Sequence, residues 1–356
     1  MRIGISANAL KHSGGLERYA MDLVRGFAAA GFDDKEKLPF FARRIDTSLP
    51  ESRLIEPHRI EVSFLPGKWR DGYFSWALKR ARRKAKVDVL IGCNRVEGSE
   101  IAICGGTHIG FLRATGRREK RSDARQIALE RRQYEQADVI VAHSDMMRDE
   151  LRRLYGIDSA KIRVLYPPVD GARFSAVDAT GRARLREQFG FKPDEIVLLF
   201  PSSSHERKGL PLIEKALAGL PVVVAVAGRA PEKAAANVRY IGYAKNIEDA
   251  YRAADFTILA SSYEPFGLVG IESVMCGTPV IFPASIGCCD AIADHAKHVF
   301  KSGDADDLRR TVLKAIEARR RGDARVSGDA VRYDADVASH VSALIELARG
   351  IVQVKR

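Results

Sequence analysis

The stretch SSYEPFGLVGIESVMCGTPV, residues 261–280, governs how the rest of the chain is read. It follows the apolar run 256–260 and changes from turn residues, Pro265, Phe266 and Gly267, to an apolar helical segment from Leu268 onward. Strand, turn and helix in that order put the turn at the carboxyl end of a strand, where α/β sheets hold ligands. The backbone donors of Gly267, Leu268 and Val269 then open the helix, and a helix amino terminus suits a phosphate. Glu264 lies on the loop before it and Glu272 well inside the helix, with seven residues between them. A carboxylate accepts two hydroxyls at once, which fits sugar hydroxyls at Glu264 and a ribose diol at Glu272.

Working outward, the same strand–helix alternation recurs along most of the chain and predicts parallel sheets buried on both faces. Short apolar runs at 2–7, 61–65, 87–92, 100–104 and 139–142 read as one series of strands, and those at 196–200, 222–227, 238–241, 256–260 and 280–283 as a second. Helices are expected over 16–31, 122–137 and 144–155. Consecutive Pro167 and Pro168 interrupt the pattern, because they lack backbone donors and keep the preceding residue extended. The terminal stretch 334–352 spaces Val337, Val341, Leu344, Ile345 and Ala348 as an amphipathic helix. The expectation is an α/β protein of two doubly wound domains facing each other across a cleft. One is 1–166 with 335–356 returning as its last helix; the other is 167–334.

Other strand ends carry further candidates. FPSSSHERKGL, residues 200–210, sets Arg207, Lys208 and Gly209 before a helix, and two adjacent cations grip a diphosphate and stabilise charge developing on it. Gly14 and Gly15 follow the first strand and allow close backbone approach to a ligand. CGGTH, residues 104–108, directs His108 toward the expected cleft, although taken alone this histidine is more often structural. Neither GxGxxG nor GxxxxGK occurs, which removes the main sequence support for dinucleotide-dependent and ATP-hydrolysing readings. Asp304 and Asp306 form a DxD, but after Gly303 and before a helical run a helix cap explains it better than a metal. No HExxH or GxSxG occurs, and the five cysteines show no CxxC spacing, so metallohydrolase, serine-hydrolase, zinc and disulfide readings have no footing; Cys288 and Cys289 are read as loop residues.

The chain has 356 residues and a formal charge of +12, with an excess of +9 up to Asp170 and +3 after it. Such asymmetry predicts an anionic partner for the first half, nucleic acid or a charged membrane surface. Residues 68–86, KWRDGYFSWALKRARRKAK, interleave eight basic residues with Trp69, Tyr73, Phe74 and Trp76, and residues 113–135 add eight basic against four acidic. Segments of this kind lie on anionic lipid, although a solvated helix face gives the same pattern. The apolar runs are shorter than a membrane span and the opening MRIGISANAL lacks a secretory pattern, so a cytoplasmic protein is expected.

Taken in order, SGGLERY, the strand-end His108, the RKG cluster and EPFGLVGIE followed by GTPV resemble the retaining glycosyltransferases of family 4, which have the GT-B architecture. GGLERY, GCNRVEG, ERRQYEQADVIVAHS and IRVLYPPVD are similar to the lipopolysaccharide core glucosyltransferases that add the first outer-core glucose to a heptose. The resemblance implies a hexose moved from a nucleotide sugar, best UDP-glucose, with retention of configuration and without cofactor or metal. Arg207 and Lys208 would bind the donor diphosphate, Glu264 the donor sugar and Glu272 the ribose, with His108 against the sugar. Gly14 and Gly15 would sit beside the phosphates and acceptor, and the amides of Gly267, Leu268 and Val269 would complete the anion site. The family often has a further arginine about six residues before the phosphate lysine, where this chain has Ser202. Implied partners are the donor and an anionic lipid-linked glycan at the cytoplasmic side of the inner membrane, with no nucleic acid. The alternatives are a family-4 mannosyl- or N-acetylglucosaminyltransferase acting on a lipid carrier, a GT-B epimerase, and a basic nucleic-acid-binding protein.

Overall fold

The computed structural model describes residues 1–11, 15–31, 37–233, 235–243, 246–322 and 325–355. The first series of elements is β1 (Ile3–Ser6), β2 (Ala9–Leu10), α1 (Gly15–Ala29), β3 (Leu38–Ala42), β4 (Arg44–Ile45), β5 (Ile55–Arg59), α2 (Gly67–Lys84), β6 (Val89–Gly92), β7 (Ile101–Cys104), α3 (His108–Thr115), α4 (Arg121–Gln136), β8 (Val139–Ala142), α5 (Asp145–Tyr155) and β9 (Ile162–Val164). The second is α6 (Ala179–Gln188), β10 (Val197–Ser202), α7 (His205–Lys208), α8 (Leu210–Leu217), β11 (Val223–Gly228), β12 (Val238–Tyr240), α9 (Ile247–Ala253), β13 (Phe256–Ile258), α10 (Leu268–Met275), β14 (Val280–Pro283), β15 (Lys297–Phe300) and α11 (Ala305–Arg321), followed by the last helix α12 (Val337–Lys355). Two compact units result: Met1–Pro168 with Asp334–Arg356, and Val169–Tyr333.

Each unit is built on a parallel sheet. In the first the order is β5-β3-β1-β6-β7-β8-β9, so the chain changes direction across the sheet at β1. In the second it is β12-β11-β10-β13-β14-β15, with the change between β10 and β13. These are two Rossmann-like domains, as the alternation predicts. The strands are near-continuous apolar runs because helices cover both sheet faces: Val197, Leu198, Leu199 and Phe200 of β10 are all fully buried.

The structure corrects the sequence reading at three places. Residues 61–65 are not a strand, because the Glu61 carboxylate accepts the amides of Val62 at 3.0 Å and Ser63 at 2.9 Å and closes a local turn; the strand lies earlier, at β5. β3, which the pattern did not announce, contains Pro39 yet sits between β1 and β5, fully covered. Cys288 and Cys289, read as loop residues, lie buried in a short 3-10 helix. The expected terminal helix, α12, is long and apolar enough by composition alone for a membrane span. Its stripe of Val341, Leu344 and Ala348 is instead fully buried in the core that Leu23, Val24 and Phe27 of α1 help to form. Asp304 does cap a helix, accepting the Asp307 amide at 3.0 Å ahead of α11.

Candidate active site

In the second unit a cluster of charge lies at the carboxyl edge of the sheet, where the strand order reverses. β10 runs into α7, whose last two residues are Arg207 and Lys208. The carbonyl of Lys208 accepts the amide of Ala260 at 3.0 Å, which ties this turn to the end of β13. Gly209 makes the approach possible: its φ is +82°, and a Cβ there would stand 2.2 Å from the carbonyl oxygen of Ala260. A side chain at this position would therefore meet both left-handed strain and a backbone collision.

The Lys208 ammonium forms an ion pair with Glu264, and Arg207 Nη1 lies 3.6 Å from the same oxygen. Two cations thus share one carboxylate, and Arg207 keeps much of its guanidinium in solvent while Lys208 and Glu264 are mostly covered. The surplus positive charge suits an incoming anion. Beside it, Glu264 O accepts the Gly287 amide at 3.2 Å and Phe266 O the Cys288 amide at 2.7 Å, which fixes the turn before α10. Gly267 has φ +88°, and a Cβ would come 2.9 Å from Ile286 and 3.2 Å from Glu264. Leu268 and Val269 then form the first turn of α10, whose opening amides have no carbonyl four residues earlier within the helix.

Glu272 is placed differently from its neighbours in the motif. It is only 2% exposed, and Tyr251 of α9 donates its hydroxyl to Oε2 at 3.0 Å. Ser202, which stands where an arginine is common in the resembling family, serves the loop: its Oγ accepts the Ser204 amide at 3.2 Å and lies 3.1 Å from His205 Nδ1. His205 Nε2 lies 2.9 Å from Arg229 O, and a carbonyl only accepts, so Nε2 carries the proton. His205 thus links the ends of β10 and β11, a role the motif reading overlooked and for which only its place one step before Glu206-Arg207-Lys208 gave a signal.

In the first unit, Gly15 begins α1, while Gly14 lies outside the described residues. His108 begins α3, with Thr107 as the cap accepting the Gly110 amide at 3.0 Å. The His108 amide donates to Glu130 at 2.9 Å, and its ring Nε2 lies 2.8 Å from Asp123 Oδ1. Asp123 also accepts Arg117 at 2.7 Å and the Lys120 amide at 2.8 Å. These donors, with His108 the largest, hold the Asp123 carboxyl well below the usual carboxylate range. Glu130 is fully buried and takes Arg95 at 2.5 Å and the hydroxyl of Tyr155, whose own ionisation burial pushes far up. Deeper in, Tyr19 OH lies 2.8 Å from His340 Nε2, and its ring packs edge-on against His143 with centroids 4.6 Å apart. Burial lowers His143 to about 3 and His340 to about 4, so both are neutral. His340 belonged to no sequence motif, and His143, although it lies within ERRQYEQADVIVAHS, was not singled out there. A groove of about 710 Å³ runs over α3 and α4, with Arg113, Arg117, Arg118 and Arg131 around Ile109, Leu112 and Ile127.

Residues 13–173 match the family described as Glycosyltransferase Family 4, and residues 182–327 match Glycosyl transferases group 1. A protein of Burkholderia thailandensis named "Probable transglycosylase" is 64% identical over 355 residues, which cover 98% of this chain and 97% of that protein. The chain belongs to glycosyltransferase family 4. It is accordingly a glycosyltransferase, and the two cations and the α10 amino terminus lie in the part that matches the group 1 family. A D-inositol 3-phosphate glycosyltransferase of Actinosynnema mirum is 31% identical over 210 residues, half of each chain. Among solved structures, WaaG, a glycosyltransferase involved in lipopolysaccharide biosynthesis, superimposes with a TM-score of 0.82 at 19% identity, covering 98% of this chain and 100% of WaaG. HepE of Anabaena, in complex with UDP and glucose, gives 0.74 at 16% identity over 98% and 99%. Within family 4 these likenesses show the shared GT-B fold.

Proposed function

We propose that this family-4 enzyme is a retaining hexosyltransferase that moves glucose from UDP-glucose to a heptose of lipopolysaccharide core. The observation that carries the reading is the sharing of Glu264 by Arg207 and Lys208 beside the amino terminus of α10, a receptor for a leaving diphosphate. The lipopolysaccharide assignment is supported by the likeness to WaaG over nearly the whole chain, and the donor by the UDP and glucose held by HepE.

In this reading residues 167–334 take the donor and residues 1–166 with 335–356 the acceptor. As the glycosidic bond to the diphosphate lengthens, Arg207, Lys208 and the opening amides of α10 meet the charge that develops on it, without a metal or other cofactor. Glu264 positions the sugar and is not the nucleophile. The acceptor hydroxyl attacks from the face the diphosphate leaves, and a phosphate oxygen takes its proton, which preserves configuration. His108 lies against the sugar, Glu272 meets the ribose, and Gly14 and Gly15 adjoin the phosphates. An anionic, lipid-linked glycan acceptor brings the enzyme to the cytoplasmic side of the inner membrane as a peripheral protein; nucleic acid is not a partner.

The name of the Burkholderia relative supports a second reading, transfer of a glycosyl group from an existing glycan rather than from a nucleotide sugar. One measurement separates them: thermal stabilisation by a panel of nucleotides and nucleotide sugars, in the presence of a chelator. Stabilisation by UDP and UDP-glucose that disappears in Lys208→Ala and weakens in Glu272→Gln is expected. A preference for GDP or ADP moves the donor elsewhere in the family, and no response to any nucleotide at millimolar concentration overturns the nucleotide-sugar reading.

A further inference from the structure

We propose that the outward face of α2 is the surface by which this protein docks on an anionic lipid bilayer. The inference deepens the membrane contact of the proposed function and does not depend on which sugar is moved. α2 is anchored by Phe74 and Leu78, both fully buried in a cluster with Phe41, Leu90 and Val96. Its other side presents Trp69 and Trp76, 61% and 54% exposed, and Phe64 from the preceding turn adds a ring that is 64% exposed. Tyr73 bridges them, with its ring centroid 5.4 Å from Phe64 and 5.6 Å from Trp76. Trp69, Tyr73, Trp76, Arg80 and Arg83 follow one another at three- and four-residue steps, so they share one side of the helix.

Charge on α2 is sorted by side. Asp71 is turned to Arg43 and Gln126, and Lys79 and Arg82 pair with Glu97 at 3.4 Å and Glu100 at 2.9 Å. Among the described residues, Lys68, Arg80, Arg83 and Lys84 have no carboxylate partner. Lys68 lies 5.8 Å from the ring of Trp69 and Arg80 5.3 Å from that of Trp76. A bilayer interface satisfies both halves of this arrangement: amphipathic aromatic rings settle at headgroup depth, and the cations meet anionic headgroups. A second copy of the chain satisfies only the rings, since it sets four unpaired cations against four.

The chain contains two tryptophans, Trp69 and Trp76, so intrinsic emission reads this face without a label. The test uses the full chain with vesicles of 30% phosphatidylglycerol in phosphatidylcholine and with phosphatidylcholine alone, scored by flotation and by tryptophan emission and its quenching by brominated lipid. Expected are flotation with the anionic vesicles only, a blue shift with quenching, weakening as salt rises, and at least about tenfold weaker partitioning for Arg80→Ser/Arg83→Ser with unchanged melting temperature. No flotation with anionic vesicles overturns the proposal. Flotation with unchanged emission also overturns it, and moves the contact to another surface such as the groove over α3 and α4. A blue shift on raising protein concentration without lipid assigns the face to a second copy, and an equal shift with duplex DNA assigns it to nucleic acid; either result overturns docking on lipid. Nucleotide-induced stabilisation, measured on the same preparation, succeeds or fails separately and so distinguishes loss of this proposal from loss of the donor reading.

Discussion

The carboxyl edges of the two sheets handle polar groups in opposite ways. In the second unit, Arg207 and Lys208 divide a single carboxylate, so the edge carries positive charge that nothing in that cluster cancels. In the first unit the ionisable groups near the strand ends are spent on one another: His108 on Asp123, Glu130 on Arg95 and Tyr155, Tyr19 on His340. One edge is prepared for an anion and the other is a hydrogen-bonded frame. A Rossmann-like sheet supplies the location in both cases, but the balance between cations and carboxylates decides whether the location attracts a charged ligand.

The largest effect is expected of Lys208→Ala. It leaves Glu264 only the more distant Arg207 and should cost about a hundredfold or more in transfer rate together with the nucleotide-induced rise in melting temperature. Activity within threefold of the parent would remove the prepared-anion-site argument. Next in size is Gly209→Ala, in which left-handed backbone and the contact with Ala260 O should destabilise the second unit by at least about 2 kcal/mol in urea unfolding. A stability unchanged within error would show that the turn shifts freely and does not fix Lys208.

The first unit should show its own signature in acid. Burial depresses His143 to about 3 and His340 to about 4, below the ~6.5 of an unfolded histidine, so the unfolded chain binds more protons across that interval. Stability is therefore complete above about pH 6.5 and falls on acidification, by up to about 1.4 kcal/mol per pH unit for each histidine while it is protonated only in the unfolded chain. Tryptophan emission follows the first unit, which contains Trp69 and Trp76, in urea titrations at pH 7, 6 and 5. Equal midpoints at all three would contradict neutral, buried histidines. The smallest effect is expected from Asp123→Asn, which keeps the shape but weakens the charge-assisted bonds to His108 and Arg117. A few-fold loss of transfer that changes with pH would sharpen the view of Asp123 as positioning His108, whereas a loss explained wholly by a lower melting temperature would make it only a helix cap.

Much of the fold is legible in the sequence because buried parallel strands are apolar throughout and their helices keep a 3.6-residue period. β10, β11 and β14 are plain from their runs of valine, leucine, isoleucine and phenylalanine. β3 escaped because Pro39 argues against a central strand, and 61–65 misled because an alternating pattern and a turn closed by Glu61 look alike in one dimension. For the site, the local motifs are enough to place Arg207, Lys208 and Gly267 beside strand ends. They do not show that Glu264 is shared by both cations, or that Glu272, eight residues on, is covered and held by Tyr251.

The α/β alternation, the family motifs and the positions of the turns are written in neighbouring residues whose propensities act locally. Which charges cancel is settled only when the chain is folded. Glu264 lies 56 residues from Lys208, Arg95 35 from Glu130 and His340 321 from Tyr19, and whether a side chain is spent or free depends on distances that chain folding sets, not on the residues beside it.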